Sequence, residues 1–294
     1  MKLKPALTYE EQVDRLISVH NLGILNRTKA IEILKNINYY RLSAYGIGLY
    51  QSDDPEKYRD GITLKHLYQL YAFDSLLRSF LFHSIEQLEI QLRTQISNCL
   101  ALQYGAEGYM EARNFSDRKL KDGSSVYHNT INKFKHECFR QRNVPFVEHH
   151  HSVYADHFPI WVAVELFSFG NLTALFSIMK MEDQNNVAKN YSTDAKHLKS
   201  WLLSLLEVRN ICAHYGRIYN MPLKQRPKLY REYKVYRSSN KIFPVLLIIK
   251  RMFNGKGQWK LLCEQICQLM IKYQEVVNPS FMDFPNNWHE ILSK

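Results

Sequence analysis

Arg209, Asn210 and His214 stand within six positions of one another in the stretch EVRNICAHYGRIYN, Glu207 to Asn220, directly after the apolar run WLLSLL. A guanidinium, a carboxamide and an imidazole grouped in this way could cleave an RNA phosphodiester. There the 2′-hydroxyl attacks the adjacent phosphorus, so the site needs a base for that proton, an acid for the leaving 5′-oxygen and cations for the phosphorane charge. Histidine titrates near pH 6.5 in its ordinary state and can serve as base or acid, while arginine offers a planar bidentate cation. Asn210 would orient substrate or the motif backbone. No metal and no cofactor is required.

The same Arg-x4-His spacing recurs at Arg15/His20 and Arg78/His83. Both lie in amphipathic helical patterns and read as solvated or locally paired faces. Only the third carries Glu207, Asn210 and an Ala-His pair in one group after a leucine-rich turn. At about 100° per residue, Trp201, Leu205, Val208, Cys212 and Tyr215 form the core stripe of this helix, and Glu207, Asn210 and His214 form a second stripe away from it. Arg209 lies about 140° round from His214, so the two share no face of a straight helix. They can act together if Arg209 reaches across, if the helix is distorted there, or if two copies of the helix meet. The last case predicts an isologous homodimer with one composite pocket, each protomer supplying a histidine.

The elements that must position this group are helical throughout. Thr8 and Glu11 fit a capping box opening YEEQVDRLISVH, and NRTKAIEILKNIN reads as a second helix. From Leu64 to Leu102, the residues Leu77, Leu81, Ser84, Leu88, Leu92 and Ile96 recur at three- and four-residue steps, which predicts a long core helix. Residues 104–151 are polar and read as loops with at least one helix, YHNTINKFKHECFRQR. PIWVAVELFSFGNLTALFSIM gives one or two buried helices around Gly170, DAKHLKSWLLSLLEVRNICAHYGR a long one, and GQWKLLCEQICQLMIKYQEVV the last. No alternating strand set and no internal repeat is present, so the class is all-α.

Composition narrows the function. The chain has 294 residues, a formal charge of +11 and a pI near 9.3, which favours an anionic partner, nucleic acid before a membrane surface. Apolar runs such as FPVLLII are too short or interrupted to span a bilayer, and MKLKPALTYEEQVDRL turns polar too early for a cleavable signal, so the expectation is a soluble cytoplasmic protein. Five scattered cysteines read as reduced thiols. Cys263 and Cys267, one helical turn apart, read as buried apolar residues.

An RNA track beyond the pocket is expected in KQRPKLYREYKVYRSSNK. Lys224, Arg226, Lys228, Arg231, Lys234 and Arg237 alternate there with Tyr230, Tyr233 and Tyr236, a composition suited to phosphate contact and base stacking, or else to a solvated basic helix. YYRLSAY, with Arg41 between aromatics, is a second candidate and equally suits a packed aromatic turn. A metal-dependent nuclease built on VEHHHSVYADH, with His149, His150, His151, Asp156 and His157 as ligands, lacks a paired helical spacing, and an exposed polar loop is the preferred reading of that run.

RNICAH within LLEVRNICAHYGRIYN resembles the Arg-Asn-x3-His motif of the HEPN superfamily of ribonucleases. KPALTYEEQVDRL, INYYRLSAYGIGLY, FDSLLRSFLFHSIEQLEIQLRTQI and PIWVAVELFSFGNLTALF are similar to landmarks of the Abi-like abortive-infection family, of AbiD/AbiF type, and with the motif they extend from about Lys4 to the C-terminal helix. The resemblance implies a HEPN-like helical bundle at 63–222, with an N-terminal helical extension at 1–62 and a basic segment with C-terminal helices at 223–294. It further implies a dimeric, metal-independent endoribonuclease in anti-phage defence. By motif it makes Arg209 and His214 the catalytic pair and Asn210 their polar neighbour, with Glu207, Arg217 and Asn220 in support. It also draws attention to Glu89 and Arg93, a simple intrahelical pair or a brace for the motif helix, and to Trp161 and Glu165, with Trp161 expected in the core. Some family members are encoded beside a structured non-coding RNA, so a non-catalytic protein forming a ribonucleoprotein with such an RNA is the alternative.

Overall fold

The computed structural model describes residues 5–254 and 257–294; Lys4, where the resemblance begins, lies outside them. No strand forms among the described residues, and extended pairing is confined to isolated bridges such as Tyr50 with Tyr58. The class is all-α. Among the described residues no helix is long and apolar enough to cross a membrane.

Thr8 caps α1 (Tyr9–Ser18) through the expected box, its amide donating to Glu11 Oε2 at 2.7 Å while Glu11 N–H donates back to the Thr8 hydroxyl. Asn26 caps α2 (Arg27–Asn36), and the two helices bury Val13 and Leu16 against Ala30 and Leu34. The N-terminal unit continues with α3 (Tyr39–Ser43) and the 3₁₀ turn Ala44–Gly46. Gly46 is required by proximity, since a Cβ there would fall 2.5 Å from the Tyr58 ring.

Thr63 then opens α4 (Leu64–Tyr104), a helix of 41 residues. Its expected stripe, Leu77, Leu81, Ser84, Leu88, Leu92 and Ile96, is buried throughout. Because neighbours pack on several of its sides, α4 also buries the charged residues Asp74, Arg78 and Glu89, which a one-sided amphipathic helix would leave in water. Arg78 of the second Arg-x4-His match is therefore a buried ion-pair partner, whereas His83 is solvated beside Glu86.

The polar middle of the chain holds α5 (Val126–Arg140) and α6 (Pro145–Tyr154). Most of VEHHHSVYADH is thus helix rather than loop: Pro145 starts it, and Ala155 in the left-handed region ends it. The following apolar stretch divides into α7 (Ile160–Ala163) and α8 (Phe169–Ile178), the second capped by Ser168. Trp161 departs from its expected place and is 55% exposed, because the four-residue α7 turns Ile160 and Ala163 inward instead.

Two helices, α9 (Met181–Lys189) and α10 (Ala195–Ala213), lead to the motif. After the basic segment come α11 (Phe243–Met252), α12 (Gln258–Lys272) and α13 (Trp288–Ser293). Residues 243–249 of α11 are all buried, so FPVLLII shows no one-sided period in the sequence. A single core of buried side chains runs from Val13 in α1 to Leu292 in α13 and spans all three expected segments.

Candidate functional site

The last turn of α10 carries the Arg-Asn-x3-His group. Trp201, Leu205, Val208 and Cys212 are buried as their stripe requires, and burial pushes the Cys212 thiol up to about 12. The helix stops just before His214. Tyr215 N–H donates to Cys212 O at 3.2 Å and Gly216 N–H to Ile211 O at 2.8 Å, with Tyr215 at φ 56°, which together make a Schellman stop. Of the three routes that could bring Arg209 and His214 into concert, the helix is therefore interrupted at the histidine. Tyr215 also leaves the core stripe: it is 70% exposed, because the helical period ends where the helix does. Gly216 passes so near Ile211 that a Cβ would sit 3.0 Å from its methyl group.

Asn210 and His214 are exposed, and neither side chain makes a hydrogen bond among the described residues. Arg209 lies against α4, its guanidinium 5.7 Å from the Phe82 ring centre and its Nε 3.9 Å from Glu89 Oε2. Glu89 pairs with Arg93, and Arg93 donates to the Val164 carbonyl. The pair on α4 is thus more than an intrahelical contact, since it links the end of α7 to the motif helix. Arg209 Nε is buried without a hydrogen-bond partner, while 34% of the side chain stays open to solvent.

Behind the motif sits Asp74. Its Oδ1 accepts the Ile218 and Tyr219 amides at 3.0 and 2.7 Å, and its Oδ2 accepts the Tyr45 hydroxyl at 2.7 Å and the Arg78 guanidinium. Burial pushes this carboxyl up, and these donors act against that rise. The sequence does not single out Asp74; its only signal there is its place one turn before Leu77 on the buried side of α4.

The N-terminal unit is fastened to the motif exit. Arg217 donates to the Ala44 carbonyl, and its guanidinium lies over the Tyr45 ring. Asn220, at φ 52°, donates to Ile47 O at 3.1 Å and accepts from Lys241 Nζ at 3.2 Å. Both side chains act as ties. Arg41 reaches closest to the group, donating to the Tyr215 carbonyl.

Glu207 faces the basic segment and accepts the Lys224 and Gln225 amides at 2.8 and 2.6 Å. Farther back on α10, the Ser204 hydroxyl donates to Gln225 O, Trp201 Nε1 to Lys228 O at 2.7 Å, and the Ser200 hydroxyl accepts the Lys228 amide. Residues 224–228 therefore form a strap running back along α10, with Lys224, Arg226 and Lys228 exposed on it.

The tyrosines expected to stack on bases are used differently. Tyr230 lies 4.1 Å from the His197 ring at 9°, with Arg251 over it at 4.1 Å, and its hydroxyl meets Thr193. Tyr233 and Tyr236 are half-buried against the core, and Arg237 binds the Leu229 carbonyl. Arg231 and Lys234, on the short 3₁₀ segment Arg231–Tyr236, are exposed.

Among the described residues no group of three or more His, Cys, Asp and Glu could hold a metal ion. On and after α6, His150 binds the Phe146 carbonyl, His151 meets Asp156 and His157 meets Glu107, so these histidines face different partners.

A family model described as Abi-like protein matches residues 32–220, from α2 through the end of the motif segment. No curated protein and no solved structure matches the chain.

Proposed function

The chain belongs to the Abi-like protein family, the abortive-infection type of defence protein, and we propose that it acts there as a metal-independent endoribonuclease of HEPN type, working as a homodimer on RNA. The observation that carries this reading is the arrangement at the end of α10: His214 is turned out of the helix into solvent beside exposed Asn210, and Arg209 is held by Glu89 with part of its side chain open. In the proposed reaction one His214 takes the 2′-hydroxyl proton and the partner's His214 protonates the leaving 5′-oxygen. Arg209 neutralises the phosphorane, and the products are a 2′,3′-cyclic phosphate and a 5′-hydroxyl. The strap cations Lys224, Arg226 and Lys228, with Arg231 and Lys234 beyond, supply phosphate contacts consistent with the charge of +11.

The test is cleavage of a labelled mixed-sequence RNA by wild type and His214→Ala with EDTA present, the cut ends being analysed. Cyclic-phosphate or 3′-phosphate ends from wild type and none from the variant are expected. Intact RNA with both proteins, despite equal salt-sensitive binding, would replace this reading with a non-catalytic RNA-binding role.

A further inference from the structure

Beside His214 lies a cluster that the cleavage chemistry leaves unused. Tyr40 and Arg41 are consecutive in α3, and Arg41 Nη1 donates to the Tyr215 carbonyl at 2.5 Å across 174 residues of chain. This contact seats Arg41 of the N-terminal unit on the turn that carries His214, and exposed Tyr40 is its neighbour in α3. The Tyr215 and Tyr40 rings are 70% and 86% exposed, and Arg41 has no carboxylate partner among the described residues, so most of its five N–H donors remain free. Tyr215 holds its ring in water from a left-handed position, φ 56°, where glycine would carry no steric cost.

We propose that Tyr215, Tyr40 and Arg41 form a nucleotide clamp: Tyr215 stacks a base next to the scissile phosphate, Tyr40 offers a second face, and Arg41 takes the phosphate between them. The site then accepts unpaired RNA and rejects duplex, because A-form pairing keeps base faces stacked on one another and unavailable to side chains. This rests on the reading that the His214 site acts on RNA.

The experiment measures binding of a fluorescent 2′-fluoro RNA strand, which lacks the attacking hydroxyl, alone and annealed to its complement, by wild type, Tyr215→Gly, Tyr215→Phe and Tyr40→Ala. Wild type should prefer the single strand. Tyr215→Gly and Tyr40→Ala should each weaken single-strand binding by roughly 5- to 150-fold, the range for losing one base–aromatic stack, with duplex binding unchanged and Tyr215→Phe close to wild type. Glycine suits the backbone at 215, so Tyr215→Gly should melt no lower than wild type and lost binding cannot be laid to misfolding. Single-strand affinity within twofold of wild type in Tyr215→Gly, or equal affinity of wild type for duplex, would overturn the clamp alone. No binding of either RNA by wild type would overturn both the clamp and the reading beneath it.

Discussion

Replacing Asp74 by alanine should cost the protein a large part of its stability. The substitution strands two backbone amides, Ile218 and Tyr219, and the Tyr45 phenol, and it leaves the Arg78 guanidinium, 6% exposed, without its counter-charge. Breaking a buried ion pair from one side costs roughly 3–5 kcal/mol, and each stranded donor roughly 1–3 kcal/mol more where water cannot reach it. Water entering the vacated volume would recover part of the sum, so about 5 kcal/mol is expected, against about 5–15 kcal/mol for a whole domain. Urea titration followed by circular dichroism reads the loss as a lower midpoint. A cycle with Arg78→Met separates the pair from the packing: the double variant should be less damaged than the two single losses added together, by about 3 kcal/mol. A loss below about 1 kcal/mol in Asp74→Ala, or a coupling near zero, would refute the view that this carboxylate holds the motif exit in place.

Tyr215→Gly should raise stability by about 1 kcal/mol by removing a left-handed non-glycine residue, seen as a melting temperature about 2 °C higher for a chain of this size; an unchanged or lower value would mean that the ring is packed, contrary to its exposure. Glu207→Ala removes two charge-assisted acceptors from the strap and should cost about 2 kcal/mol. It should also flatten the slope of log affinity for RNA against log salt, as the strap cations lose their register; an unaltered slope would show that they make no joint contact. The Cys212 thiol keeps its proton up to about 12 when folded but ionises near 9 when exposed. Between those values the unfolded chain binds fewer protons, so stability should fall as pH rises, by up to about 1.4 kcal/mol per unit from this thiol. Cys212→Ala should flatten that decline in urea midpoints, and equal slopes would assign it to other groups.

Features governed by neighbours in the chain were legible in the sequence. The Thr8–Glu11 box, the stripe of α4 and the four buried positions of α10 each follow from hydrogen bonds or spacings within a turn or two. Reading failed where distant contacts decide. Tyr215 fits the helical period, yet the helix ends before it, and the carbonyl of that turn is met by Arg41 from the other end of the chain. Tyr230 has the composition of a stacking residue, but His197 and Arg251 enclose it. Trp161 is apolar in type and exposed in fact because α7 spans little more than one turn. The motif itself was visible by residue type, whereas its supports, Asp74 and the Glu207 strap, depend on partners that no local pattern specifies.

The ties around the motif exit also order events during synthesis. Arg41 and Ala44 are made early, Glu207 in the middle, and the amides of residues 224–228 and the Lys241 ammonium later still. A nascent chain that has extruded α10 but not the strap or α11 therefore presents His214 on a turn held by Arg41 and Asp74, with Glu207 and Asn220 short of their late partners, so the group reaches its final geometry only once residues 224–241 have emerged. Ribosome-arrested chains long enough for residues 214–223 to clear the exit tunnel, but not the strap, should accordingly be cut by protease within that stretch, which resists in the released protein; resistance in the arrested chain would show that the turn sets without its late partners.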